Sequence, residues 1–164
     1  MFDIEMRGDS YRPGYPAVGD GWRDIVETAI ARVAAASTGH DVRIEQIKQK
    51  FGSLRIYWTC ADGVPQDVSL NLEEAVARAE ARSECTCETC RSPGRLYTTG
   101  SWDATSCPEH ARGEPVPVRP GFENLHIVRV VVDGEVRVVA CRRYDRDTDT
   151  FVDVDPAILG GVEE

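Results

Sequence analysis

The sequence predicts an α+β fold in which two helices pack on an antiparallel β-hairpin, a zinc-binding segment follows, and a second β-hairpin ends the chain. Three observations lead to this prediction. Apolar residues recur at helical spacing in two segments, they alternate with polar residues around two short turns, and four metal-binding side chains form two closely spaced pairs. We expect the zinc-binding segment to be of the zinc-ribbon or treble-clef type.

The composition fits one main domain with an extension. The chain has 164 residues, of which 41% are hydrophobic, and its formal net charge is -9. This acidic balance disfavours non-specific attraction to nucleic acid or anionic membrane, because phosphate-binding surfaces need clustered Lys and Arg. We predict a zinc-binding domain over 1–112, a proline-rich linker over 113–121 and a C-terminal hairpin extension over 122–164. The irregular first segment can include a short strand at Phe2–Met6.

The sequence has no feature of a secretory signal or a membrane span. Its amino terminus lacks a basic segment followed by an apolar one, and no apolar run approaches the roughly 18 residues that cross a bilayer. We therefore expect a cytoplasmic protein. In that reducing compartment, the 6 cysteines are better explained as metal ligands and buried thiols than as disulfides, which are the alternative for a secreted chain.

Two amphipathic helices are predicted in the first domain. Asp20 is placed to cap the first helix, and Gly39 is placed to end it. Its apolar face would contain Trp22, Ile25, Val26, Ala29, Ile30 and Val33. The second helix is predicted to begin near Asn71, which has capping-box spacing with Glu74, and to run toward Ser83. Its buried stripe would contain Leu72, Ala75, Val76 and Ala79.

Two β-hairpins are predicted, one on each side of the zinc-binding segment. Over 41–60, apolar and polar residues alternate on both sides of a turn near Phe51-Gly52-Ser53. Over 125–145, two β-branched runs flank Asp133-Gly134, which is one of the strongest short-range signals for a hairpin. Residues 150–154 can add a third strand to the second hairpin.

Four side chains form a pattern that is typical of zinc sites. Cys87 and Cys90 are separated by two residues, and Cys107 and His110 repeat this spacing after sixteen intervening residues. Two ligands at this spacing can bind one ion from a tight turn, and a second pair completes a tetrahedron. Cys85 is either an alternative ligand in place of Cys87 or a thiol at the end of a helix. Because four protein ligands close the site, we expect a structural zinc ion.

The order of these motifs resembles a group of small uncharacterised zinc-binding proteins that are common in bacteriophage and prophage genomes. Residues 47–57 read IKQKFGSLRIY, and they precede a helix, the pair Cys87-x2-Cys90 and the segment Cys107-x2-His110-Ala111. The resemblance covers about residues 20–112. Arg91 stands where that group usually has glycine. The resemblance implies an α-β-β-α zinc module of phage origin and carries no established activity.

Two groups of residues are candidates for a binding surface. The first mixes basic and aromatic side chains around the first hairpin turn, and it contains Lys48, Lys50, Arg55 and Tyr57. Such a mixture can stack on single-stranded nucleic acid. The second is acidic, lies near the C terminus, and contains Asp145, Asp147 and Asp149. Carboxylates can occupy a basic site on another protein, in positions where phosphates would otherwise bind.

These patterns lead to an expected function without catalysis. We expect a zinc-stabilised factor that binds a host protein through its acidic surface, as an anti-defence or host-takeover protein. A nucleic-acid-binding zinc module is the alternative, and a zinc-dependent nuclease is a further one. A nuclease needs more His or Asn side chains to hold a catalytic ion, and only His40 and His126 remain after His110. The sequence leaves the partner and the oligomeric state open.

Overall fold

The computed structural model describes residues 16–159, which divide into two units with a boundary between Val116 and Pro117. We call the part up to Val116 unit 1 and the part from Pro117 unit 2. The described residues contain two α-helices and three small sheets, so the α+β prediction is confirmed. The zinc-ribbon or treble-clef type stays a prediction, and the strand expected at Phe2–Met6 lies outside the described residues.

The first helix begins later than the sequence predicts. A 3₁₀ turn at Asp20–Trp22 precedes helix α1, which spans Arg23–Ala36. The predicted cap at Asp20 is wrong, because Trp22 occupies the N-cap position and no side chain caps the helix. The reason is a tertiary contact, in which the backbone N–H of Gly21 donates to the carbonyl oxygen of Glu88 at 2.8 Å and holds the preceding turn in place.

The apolar face of α1 is confirmed, and it forms the core of unit 1. Its buried members are Trp22, Ile25, Val26, Ala29 and Val33, and Ile30 packs against them at the edge. The same core includes Ile47, Leu54 and Ile56 from the hairpin. Helix α1 therefore buries one face on the hairpin, as the sequence predicts.

The first hairpin is also confirmed. Strand β1, Pro16–Ala17, pairs in parallel with β2, Val42–Lys50, and β2 pairs antiparallel with β3, Ser53–Cys60. Phe51 and Gly52 have φ values of +53° and +78°, which are the positive values that a two-residue hairpin turn requires.

A β-bulge adjusts the alternation of β2. The register shifts between Ile44 and Gln46, so the residue between them has no single partner on β3. Because of this shift, Ile47 rather than Gln46 lies on the buried side of the strand, where it is paired with Ile56.

The second helix starts earlier than predicted. Helix α2 spans Gln66–Ser83, and its N-cap residue is Pro65. Asn71 and Glu74 lie inside the helix, so the predicted capping box is wrong. Proline fixes a φ that suits the entry to a helix, and this local signal outweighed the capping-box spacing. The predicted stripe is confirmed, since Leu72, Ala75 and Ala79 are buried and Val76 packs beside them.

The second sheet is formed by the segment that carries the four predicted metal ligands, which we call the metal-binding segment. Strands β4, Arg95–Thr98, and β5, Asp103–Ser106, are antiparallel, and β6, Glu114–Pro115, pairs with the other edge of β4. Proline is tolerated there because an edge strand need not donate from every N–H. Two residues of the stretch 113–121 therefore belong to a strand of unit 1.

Unit 2 contains the predicted hairpin, and the third strand that residues 150–154 can add is also present, so its sheet is antiparallel with three strands. Strands β7, Leu125–Val132, and β8, Glu135–Asp145, are joined by a turn at Asp133-Gly134, where φ is +53° and +82°. Strand β9, Thr150–Val154, pairs with the last residues of β8. Across residues 16–159, no helix is both long enough and apolar enough to span a membrane.

Candidate metal centre

The four predicted metal ligands meet at one point of unit 1. Their ligand atoms all lie within 4.8 Å of one another. The sulfurs of Cys90 and Cys107 are 3.6 Å apart, and His110 Nδ1 lies 3.2 Å from Cys107 Sγ and 3.8 Å from Cys87 Sγ. In tetrahedral sites, metal–sulfur bonds of about 2.3 Å and metal–nitrogen bonds of about 2.0–2.1 Å place the ligand atoms about 3.5–3.8 Å apart. The cluster therefore has the size of a site for one tetrahedral ion.

A tight backbone turn holds the first pair of ligands. The N–H of Arg91 donates to the carbonyl oxygen of Cys87 at 3.0 Å, and the N–H of Cys87 donates to the carbonyl oxygen of Ser92 at 2.8 Å. Arg91 has a φ of +70°, in the left-handed region that glycine adopts most easily. This backbone conformation explains why glycine suits the position that Arg91 occupies.

The second pair follows directly after β5. The N–H of His110 donates to the carbonyl oxygen of Cys107 at 3.1 Å, which forms a turn that contains both ligands of the second pair. The two turns are linked, because the N–H of Glu88 donates to the carbonyl oxygen of Thr105 at 3.0 Å. Backbone hydrogen bonds therefore bring the pairs together.

The centre lies at the surface of unit 1. Cys87 and Cys107 are buried, whereas Cys90 and His110 are exposed. Hydrogen bonds from Ser92 lower the pKa of the Cys90 thiol to about 6, while burial raises the pKa of Cys107. Because thiolates are the form that binds metal ions, the lowered pKa of Cys90 favours binding of a cation.

The remaining cysteines lie outside this cluster. Cys85 is buried at the end of α2, and its thiol donates to the carbonyl oxygens of Ala81 at 3.6 Å and Arg82 at 3.3 Å. This geometry favours a thiol at a helix end over an alternative ligand. Cys141 is buried within β8, and Cys60 is partly exposed at the end of β3.

The turn at Asp20–Trp22 packs against the turn that carries Cys87 and Cys90, and the sequence pattern does not reveal this contact. The N–H of Gly19 donates to Glu88 Oε1 at 2.9 Å, and that of Gly21 donates to the carbonyl oxygen of the same residue. Trp22 Nε1 donates to the carbonyl oxygen of Thr86 at 2.7 Å. The available signal is the pair of glycines before a tryptophan, but the sequence pattern places Gly19 in the irregular first segment and Gly21 at the start of the first helix.

Steric contacts explain the two glycines. A Cβ atom on Gly21 would lie 2.3 Å from the carbonyl oxygen of Cys87, and one on Gly19 would lie 2.5 Å from that of Glu88. Both neighbours are backbone atoms, which cannot move aside as a flexible side chain can. The close approach of the two segments therefore requires glycine at both positions.

The metal-binding segment also packs on the tip of the first hairpin. Thr105 Oγ1 donates to the carbonyl oxygen of Gly52 at 2.7 Å, and Gln49 Nε2 donates to that of Asp103 at 2.6 Å. Ser83, at the end of α2, accepts a hydrogen bond from the N–H of Leu54 at 2.8 Å. The site thus lies where the start of α1, the end of α2 and the hairpin tip come together.

The basic and aromatic candidates lie on the first hairpin, but they are not equivalent. Lys48 Nζ lies 5.2 Å from the ring centroid of Tyr57, and Lys50 Nζ lies 5.2 Å from that of Phe51. Arg55 is opposite Lys48 in the strand pairing, and its guanidinium makes an ion pair with Glu80 of α2. The two lysines therefore lie beside aromatic rings, and Arg55 also contacts a helix.

The acidic candidates lie at the turn between β8 and β9. Asp145 Oδ1 accepts hydrogen bonds from the backbone N–H of Asp147 at 2.8 Å and of Thr148 at 3.3 Å, and these bonds lower the pKa of Asp145. Asp149 accepts a hydrogen bond from the hydroxyl of Tyr144 at 2.5 Å. Asp145 and Asp149 thus shape the turn, while Asp147 is exposed.

Comparison with known proteins gave no match. No family model matches the chain, and neither a curated protein nor a solved structure matches it. The resemblance to phage zinc-binding proteins therefore stays a prediction.

Proposed function

We propose that the protein is a non-enzymatic binding factor of phage origin, in which one zinc ion stabilises unit 1. The observation that carries this proposal is the convergence of four ligand atoms within 4.8 Å. Four protein ligands complete a tetrahedral coordination, so no position is left for a water molecule or a substrate. A closed site of this kind contributes to folding rather than to chemistry.

Zinc is the ion that this ligand set suits best. Three cysteine sulfurs and one imidazole nitrogen favour a tetrahedral ion that binds sulfur and nitrogen. Calcium and magnesium bind oxygen ligands and take six or more of them, so they fit the set poorly. The low pKa of Cys90, about 6, adds a thiolate at neutral pH and supports the binding of such a cation.

The position of the site supports a structural role for the ion. The turn at Cys87–Cys90 accepts hydrogen bonds from the segment before α1, and the segment that carries Cys107 contacts the hairpin tip through Thr105. An ion that joins Cys87 to Cys107 would hold these elements together. Its loss would release contacts with α1 and with the hairpin at the same time.

We place the binding activity on the acidic surface. The chain has a net charge of -9, and Asp147, Asp153 and Asp155 are exposed around β9. An acidic surface is attracted to basic sites, such as those that bind nucleic acid on other proteins. The proposed partner is therefore a host protein with a basic surface, as expected for an anti-defence or host-takeover factor.

A pull-down from host lysate at low and high salt tests this function. The unit 2 variant combines Asp147→Asn, Asp153→Asn and Asp155→Asn. The unit 1 control combines Glu27→Gln, Asp62→Asn and Glu73→Gln. We expect the partner to be lost at high salt and in the unit 2 variant, and to be retained by the control, because ion-pair attraction is screened by salt. Partners that are insensitive both to salt and to the unit 2 variant would contradict the acidic mechanism.

A second candidate function, binding of single-stranded nucleic acid, is favoured by the lysines that lie beside exposed rings. Tyr57 is 43% exposed beside Lys48, and Phe51 is 69% exposed beside Lys50. Bases can stack on such rings while the lysines contact phosphates.

Fluorescence anisotropy with a labelled single strand tests this candidate, with Tyr57→Ala as the variant and Arg43→Ala as a control on the same hairpin. Cleavage of the strand that depends on a divalent metal ion would instead favour a nuclease.

A further inference from the structure

The distal half of the C-terminal hairpin, residues 128–139, is an apolar ribbon with both faces in water. Strand β9 pairs with Cys141–Asp145, and in the described part of the chain no third strand lies beside the ribbon. Its exposed valines are Val128, Val130, Val131, Val132, Val136, Val138 and Val139. Val131 and Val136 are 70% and 65% exposed. An uncovered two-stranded ribbon is only marginally stable in water, and a cluster of exposed apolar residues marks an interaction site.

The outer edge of β7 has few of the features that normally prevent strand pairing, since Arg129 is its only Asp, Glu, Lys or Arg side chain. It is eight residues long, Leu125–Val132, and contains neither proline nor lysine. The extra residue of the bulge is Val139 on β8, so the bulge does not interrupt the outer edge of β7. The opposite edge of the sheet, β9, is five residues long and is followed by Asp155 and Pro156. Of the two edges, β7 is therefore the one suited to accept a further strand.

Charge favours a second copy of the chain as the source of that strand. The ribbon contains equal numbers of basic and acidic residues, namely Arg129, Arg137, Asp133 and Glu135, although the whole chain has a charge of -9. Antiparallel pairing of β7 with itself, centred on Val130, pairs residues 128–132 of the two copies and brings Arg129 diagonally close to Asp133, the first turn residue of the second copy. Two-fold symmetry repeats this pair at the other end of the interface.

We propose that two copies of this chain associate through antiparallel pairing of their β7 edges. The strand order of the combined sheet is β9-β8-β7-β7-β8-β9, and the short β9 edges end it. Pairing of identical edges consumes both of them, so assembly stops at two copies. Val131, Val136 and Val138 lie on one face of each ribbon, and the paired ribbons join these faces into one apolar surface. This proposal does not depend on the proposed function.

The test is the molecular mass in solution, measured by light scattering or sedimentation over a range of concentrations. We expect twice the chain mass of 18.1 kDa at high concentration and dissociation on dilution. Val130→Lys places a lysine on the paired edge in both copies and is expected to give a monomer. Val138→Lys is the matched control, because Val138 is similarly exposed, 41% against 37%, but lies on β8. It is expected to leave the dimer intact.

A second pair of variants addresses charge without adding a lysine to the edge. Arg129→Glu places a negative charge beside Asp133 of the second copy, so we expect dimerisation to weaken about tenfold at low salt. Arg137→Glu makes the same charge change on β8 and is expected to have a smaller effect. Circular dichroism and metal content establish that each variant is folded. A monomer at all concentrations, assemblies larger than two copies, or equal effects of β7 and β8 variants would overturn the proposal.

Discussion

The two units of the chain bury their apolar side chains to very different degrees. In unit 1, Trp22, Leu54 and Leu72 have no exposed surface, and the metal centre joins the elements that surround this core. In unit 2, the buried hydrophobic residues among those described are Cys141 and Tyr144, while the valines of the ribbon are exposed. The difference indicates that unit 1 is stabilised by its own core, to which the proposed ion would add. Unit 2 leaves a row of valines exposed, and its outer strand edge is the proposed site of pairing with a second copy.

The largest expected effects come from a pair of truncations, one in each unit. Leu72→Ala should destabilise unit 1 by about 2–5 kcal/mol, because it leaves a cavity in a fully buried site. Val131→Ala removes a side chain that is 70% exposed and should change the free energy of unfolding by no more than about 0.5 kcal/mol in dilute monomer. Chemical denaturation measures both values. Similar effects of the two truncations would break the contrast between the units.

The contact between α1 and the metal-binding turn is expected to have the next largest effect. Gly21→Ala places a Cβ 2.3 Å from a backbone oxygen and should destabilise unit 1 by about 1–3 kcal/mol, with weaker metal binding. Asp20→Ala, at the exposed neighbouring position, is the control and should stay within about 0.5 kcal/mol. Equal effects would mean that the close packing at Gly21 is unimportant. A large effect at Asp20 would instead indicate that its side chain caps α1, which would contradict the structure.

Backbone strain at Arg91 should lower the free energy of unfolding of unit 1 by about 1 kcal/mol. Arg91→Ala removes the ion pair with Asp24, whose atoms are 2.7 Å apart, but keeps a non-glycine residue at a φ of +70°. Arg91→Gly removes the ion pair and the strain together. The glycine variant should therefore be more stable than the alanine variant by about 1 kcal/mol in thermal or chemical unfolding. An alanine variant of equal or greater stability would contradict a strained turn.

The smallest expected effect is the pH dependence of unit 2. Burial, together with the charge of Arg142, lowers the pKa of His126 below the usual value of 6.5. Above that pH, His126 is neutral in both the folded and the unfolded chain, so its titration does not change the stability of unit 2. As the pH falls below it, the unfolded chain takes up a proton first, so unit 2 loses stability. Nuclear magnetic resonance titration of the His126 ring checks the direction, and a pKa at or above 6.5 would contradict it.

The features that the sequence predicts well depend on neighbouring residues. The spacing of Cys87 and Cys90 follows from the geometry of a single turn, and Asp133-Gly134 favours a hairpin by its own backbone preferences. Helix ends were predicted less well. The start of α1 depends on a hydrogen bond between Gly21 and Glu88, which are far apart in sequence, and such a contact leaves no periodic signal.

The candidate surfaces show a similar limit. The sequence grouped Arg55 with Lys48, but the fold gives Arg55 a partner on α2. It also grouped Asp145 with Asp147, whereas Asp145 accepts hydrogen bonds within its own turn. The sequence shows which charges are near one another along the chain. Only the folded arrangement reveals which of them already serve the fold.

Metal quantification on the purified protein, combined with unfolding, tests the central claim most directly. The proposed structural site predicts about one zinc ion per chain, and Cys107→Ser should lose both the ion and the cooperative unfolding of unit 1, because structural zinc contributes about 10–16 kcal/mol to folding. Cys85→Ser, next to the site but outside the cluster, should retain the ion. A protein without metal that unfolds as cooperatively as the metal-loaded form, or zinc that persists in Cys107→Ser, would contradict the account.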